Sequence, residues 1–151
     1  MDLVLDANVL LREVLTERGL KWLSDQRHRL TITNRVHAEF EHYIALRVQD
    51  MIARHRFDQA YGDDYVRKLQ LFVKRRCVVV DVGRLVELEQ VSRRRIPDDA
   101  DDWPTAALAM SRDLDIVSED KHFWGCGLRV WRVRQLLAEF NTQREDGADG
   151  A

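Results

Sequence analysis

Short apolar runs alternating with longer helical segments constrain this chain more than any other feature. LVL at 3–5, LTIT at 30–33, CVVV at 77–80, the run from Ile116 to Ser118 and LRVW at 128–131 are each long enough for one strand and too short for a helix. The segments between them carry apolar residues at helical spacing. Val9, Leu10 and Val14 suit a first helix, and a second piece lies around Leu20 to Leu23. Val36, Phe40, Tyr43, Ile44, Val48 and Met51 form the stripe of a long helix, which Thr33 or Asn34 can cap. Gly62-Asp63-Asp64 reads as its break, followed by a helix that ends at the cations 74–76. Leu85 to Ser92 is a short helix and RRRIPDDADD a polar loop. A helix from Trp103 to Arg112 has Pro104 in its first turn, where the missing N–H costs nothing. Val133, Leu136, Leu137 and Phe140 mark a last amphipathic helix. Alternation of this kind predicts an α/β fold, a parallel sheet covered on both faces, and LVL, CVVV and DIV as strands buried on both sides.

A chain of 151 residues fits one domain, predicted over 1–140, with 141–151 as a flexible tail lacking apolar anchors. No apolar run approaches the ~18 residues of a membrane span, and MDLVLDANVLL lacks a basic leader, so a cytoplasmic protein is expected. Cys77 and Cys126 outline no disulfide framework and read as reduced structural thiols. The formal charge of -2 is an average over segments of opposite sign: residues 41–76 hold eight Lys or Arg against five acids, whereas acids crowd 98–102. The first of these reads as solvated helix faces, with a basic rim as the alternative.

The acids fall where a parallel sheet binds ligands, beyond the carboxyl ends of its strands at the point where strand order reverses. Asp6 follows the first strand and Asp120 lies two residues past the fourth. A right-handed crossover starts its helix at that same edge, which brings in Asp102 and Glu39. Asp6 and Asp102 also have plain readings as helix-start acids, and Asp98, Asp99 and Asp101 read as a solvated turn, with Asp101 close enough to stand in as a ligand. Glu39 and Glu41 lie about 200° apart around a helix, so only one can face the site, and Glu41 can pair with His37 at i,i+4. The five histidines show no zinc spacing. Trp103 and Trp124 could stack on a base but read more simply as packed aromatics.

LDANVLL at 5–11, VHAEFEHY at 36–43, DWPTAALA at 102–109 and IVSEDKHF at 116–123 resemble, in order, the four acidic motifs of the PIN-domain ribonucleases, a family that includes VapC-like toxins. The resemblance implies a three-layer α/β/α sandwich with a sheet of about five parallel strands in the order 3-2-1-4-5. It makes Asp6, Glu39, Asp102 and Asp120 the catalytic acids, supported by Asn8 and Ser118. It implies Mg²⁺ or Mn²⁺ held by Asp6, Asp102 and Asp120, with Glu39 orienting water or serving a second ion, and an RNA substrate. It also implies an antitoxin partner and a homodimer. His122 departs from the pattern, since an aspartate is common before the phenylalanine.

Charge arithmetic asks for a cation independently. Carboxylates about 6 Å apart repel by roughly 3 kcal/mol per pair at an effective dielectric of 20, so four would store on the order of 15 kcal/mol. Such a cluster must bind cations or protonate. Oxygen-only ligands select Mg²⁺ or Mn²⁺. Other readings are weaker. A haloacid-dehalogenase-type phosphatase would need a general-acid aspartate where Asn8 stands, and a phosphoacceptor domain would need Asp81 paired with another acid. A catalytically silent RNA-binding or scaffold version of the same fold is the non-enzyme alternative.

Overall fold

Leu3, Val4 and Leu5 are completely buried, and β1 (Asp2–Leu5) is the middle strand of the sheet. In this computed structural model, which describes residues 1–148, β2 (Arg29–Thr33) and β4 (Asp115–Val117) flank β1. β3 (Cys77–Val80) and β5 (Val130–Trp131) form the edges, giving the order 3-2-1-4-5 with every pairing parallel.

Alternate residues of a strand face opposite sides, so β1 serves two cores. Leu3 and Leu5 join the side packed by α1 (Ala7–Glu13), α2 (Glu17–Leu23), α3 (Asn34–Ala53), α4 (Gln59–Arg76) and α7 (Val133–Ala148). Val4 joins the side packed by α6 (Trp103–Arg112) and by Ile96, which follows α5 (Glu89–Arg95). These are the three layers of an α/β/α sandwich. The helix starts are set locally: Thr33 accepts from the Val36 N–H at 3.1 Å to begin α3, and Asp58 accepts from Tyr61 at 2.8 Å to begin α4.

Three expectations require correction. Val78 and Val79 are 57% and 42% exposed, so CVVV is not buried on both sides; β3 is an edge strand paired only with β2. The break between the long helices falls at Arg54 to Asp58, and Gly62 lies inside α4. A Cβ at Gly62 would come within 2.5 Å of the Ile52 side chain, so this glycine permits close packing of α3 and α4 rather than ending a helix. Arg93 to Arg95 form the last turn of α5, where cations meet the helix's negative end and Arg93 pairs with Glu89 at 2.9 Å; Pro97 to Asp102 then wind as a 3₁₀ segment. The last helix, α7, spans Val133–Ala148, and of the expected tail, 149–151 lie outside the described residues.

Among the described residues no helix is long and apolar enough to cross a membrane. Both cysteines are free and buried, and burial pushes the Cys77 thiol up to about 11, consistent with an inert structural role.

Candidate active site

Register builds the site. Leu5 pairs with Val117, so the next residues of the two parallel strands, Asp6 and Ser118, emerge side by side at the carboxyl edge. The Ser118 hydroxyl donates to Asp6 Oδ2 at 2.7 Å and accepts from the Asp120 backbone N–H at 3.0 Å. One buried serine thus fixes two acids from opposite ends of the chain. Asn8 supports Asp6 through its backbone N–H, 3.3 Å from Oδ1, so Asp6 both caps α1 and enters the site.

Asp102 ends the 3₁₀ segment and begins α6, yet its carboxylate makes no capping bond to that helix. It turns instead to His122, whose Nε2 lies 2.9 Å from Oδ2 in an electrostatic contact rather than an aligned hydrogen bond. Glu39, two turns into α3, lines a cleft with Asp6, Asp102, Thr33 and Thr105. The cleft encloses ≈ 20 Å³, room for about one ordered water or a small ion and far too little for a base. Glu41 points elsewhere, 3.3 Å from His37 Nε2 and accepting from Gln70 Nε2 at 2.6 Å. Helix phase has separated the two glutamates.

Like charges link all four acids. Burial, followed by its hydrogen-bond contact with Asp120, pushes Asp6 up to about 6, against the lowering effect of Ser118 and the Asn8 N–H. Burial raises Asp102, assisted by Asp99 and Asp120 and opposed by His122. Partial burial raises Glu39, with Asp102 adding to the rise and Arg35 opposing it. Two aspartates and a glutamate whose protons are held more tightly than usual, with the Asp120 carboxylate beside them, form an oxygen donor set. That donor set suits a hard divalent cation.

Sequence reasoning missed three participants. Arg35, one turn before Glu39, lines the cleft, donates to the Asp101 carbonyl at 2.7 Å and lies 3.8 Å from Glu39; its i,i+4 spacing was the available signal. His122 and Asp99 stand beside Asp102, and the departure at His122 was visible without its geometry. Asp101 also lines the cleft, although its side chain is 80% exposed and paired with Arg93 at 3.3 Å. Trp103 is buried, whereas Trp124 is exposed beneath Arg132. Asp81, proposed for a phosphoacceptor, sits after edge strand β3 and accepts from the Gly83 N–H at 2.7 Å, far in the sheet from β1.

A parallel sheet of order 3-2-1-4-5, helices on both faces and acids gathered at the strand reversal define a class of α/β proteins with an acidic cleft at the carboxyl edge. Within it, the chain belongs to the PIN domain family, whose model matches residues 4–141. Among solved structures, the chain is similar to the crystal structure of VapBC2 from Rickettsia felis bound to a DNA fragment from their promoter. The match has 15% identity and a TM-score of 0.59, and covers 87% of this chain and 98% of that one; it is a likeness of fold. Comparison with curated proteins returns no match.

Proposed function

We propose that this protein is a divalent-metal-dependent endoribonuclease, acting in the cytoplasm as the toxin of a toxin–antitoxin pair. The single observation that carries the reading is the convergence of Asp6, Glu39 and Asp102 on one ion-sized cleft, with Asp120 close enough to act electrostatically on Asp6 and Asp102, supported by membership of the PIN domain family. Asp6, Asp102 and Asp120 would hold Mg²⁺ or Mn²⁺, which when bound supplies charge neutralisation at the phosphate and an acidified water. The residues of the chain do the rest. Ser118 keeps Asp6 and Asp120 at fixed spacing, so the donor set is organised before RNA arrives. Glu39, half-exposed at the cleft wall, orients the attacking water and accepts its proton. Arg35 offers a guanidinium at the rim where a phosphodiester would enter. The VapBC2 fold likeness supports an antitoxin as partner, and a homodimer remains part of the proposal.

The test is cleavage of a mixed RNA pool with Mg²⁺ or Mn²⁺, with chelator and Asp6→Asn as controls. Metal-dependent cleavage that the variant lacks is the expected result; cleavage surviving in chelator sinks the reading, and RNA binding without cleavage returns the protein to the silent RNA-binding class. The two glutamates provide a sharper contrast. Glu39→Gln should lower the cleavage rate by about 10²-fold or more, whereas Glu41→Gln should stay within about twofold of wild type. Equal losses in single-turnover assays would remove Glu39 from its assigned role.

A further inference from the structure

His122 has no place in the oxygen donor set, yet its ring is held against the site. Phe123 is fully buried and anchors the 3₁₀ turn Lys121–Phe123, and the His122 ring packs on it with centroids 4.4 Å apart. Only 12% of the His122 side chain is exposed, and Nε2 is buried with no aligned hydrogen-bond partner. That nitrogen lies 2.9 Å from Asp102 Oδ2, while Nδ1 lies 4.0 Å from Asp99 Oδ2. One ligating atom from each of Asp99, Asp102 and His122 falls within 4.8 Å of the others. A buried imidazole nitrogen held 2.9 Å from one carboxylate, on a ring whose other nitrogen lies 4.0 Å from a second, is a donor group of mixed nitrogen and oxygen character.

We propose that Asp99, Asp102 and His122 form a divalent-metal site of their own, selective for a first-row transition-metal ion such as Mn²⁺ over Mg²⁺. The chemistry follows from the donors. Mg²⁺ demands oxygen ligands and near-ideal octahedral geometry, whereas an imidazole nitrogen is a good ligand for d-block dications and a poor one for Mg²⁺. The site shares Asp102 with the cleft of the proposed nuclease, and it touches that reading only through this residue.

The experiment uses the full chain, stripped with chelator, desalted and titrated separately with Mn²⁺ and Mg²⁺. Free Mn²⁺ is followed by electron paramagnetic resonance, and the bound ion is examined for nitrogen hyperfine coupling. Wild type should bind Mn²⁺ at least about tenfold more tightly than Mg²⁺ and show imidazole coupling. His122→Gln should abolish the coupling and weaken Mn²⁺ about tenfold or more, with Mg²⁺ changed less than about twofold. Asp99→Asn, an isosteric change at a half-exposed position, should weaken Mn²⁺ while retaining the coupling, and it serves if the histidine variant does not fold. Bound Mn²⁺ without nitrogen coupling in wild type, or Mn²⁺ affinity indifferent to both substitutions, overturns the proposal. Nitrogen-coupled Mn²⁺ in a protein that cuts no RNA would leave this site standing and remove the nuclease; cleavage with no coupling would do the reverse.

Discussion

Asp6→Asn is expected to stabilise the metal-free protein at pH 7.5 while lowering the proposed RNA cleavage by at least about 10³-fold, because on that proposal it removes a metal ligand worth several kcal/mol of transition-state stabilisation. The stability gain follows from where Asp6 sits. Burial and the neighbouring Asp120 carboxyl raise it from 3.8 to about 6. At about 1.36 kcal/mol per pH unit, holding the charged form in the folded state costs about 3 kcal/mol at neutral pH. The neutral amide avoids that cost and still offers an oxygen to Ser118 or to the Asn8 N–H.

The sign can be checked against pH. A carboxyl whose folded value is raised contributes stability that is fully present below about 3.8 and is lost as pH rises through about 6. Glu39 and Asp102 are raised too and act in the same direction. Asp2 and Asp25 are held low chiefly by hydrogen bonds from Arg29 and Arg27, so their contribution disappears only in more acidic solution. Metal-free wild type should therefore lose stability between about pH 4 and 7, and Asp6→Asn should flatten much of that fall. Urea unfolding in chelator across this range measures both. A variant no more stable than wild type at pH 7.5, or one equally favoured at pH 4, would show that Asp6 is not under the electrostatic load assigned to it. Excess Mn²⁺ should reverse the ranking, since only wild type retains the full set of proposed ligands.

Gly19→Ala is expected to destabilise the protein by about 3 kcal/mol or more, from overpacking against backbone that cannot give way. A Cβ at this position would lie 1.9 Å from the Glu13 carbonyl oxygen and 2.6 Å from the Glu13 Cα, so α2 must lift from the end of α1. The same displacement strains the buried Glu13 carboxylate, which accepts from Trp22 Nε1 at 2.9 Å and is paired with Arg12 and Arg18. Gly125→Ala is the matched control. Gly125 has φ of 79° but open space around its Cβ position, so the cost there should be only about 1 to 2 kcal/mol, from the left-handed backbone alone. Equal urea midpoints for the two variants would mean that the α1–α2 contact is softer than the geometry implies.

The site was legible in proportion to how local its determinants are. Asp6 and Asp120 could be placed because each follows an apolar run, and a strand's end is written in its own residues. Thr33, an N-cap in sequence, is an N-cap in the structure, and it sets the phase of α3 from which Glu39 faces the cleft. Glu41 and His37 pair as their i,i+4 spacing requires. Gly62 misled because a glycine between acids looks like a break, and only the approach of Ile52 explains it. Val78 and Val79 misled because an apolar strand carries no mark of being at an edge.

The alternation of apolar runs with amphipathic segments determined the layered α/β architecture, since each element must bury its own apolar face and each strand must find a parallel neighbour. Tertiary structure alone decided that Ser118 would bridge Asp6 to Asp120, that Asp102 would decline its capping role to meet His122, and that Arg35 would stand at the cleft. Those relations join residues as many as 112 positions apart. They depend on strand register and helix phase to within an ångström or two, and hydrophobic patterning is too coarse to encode that precision.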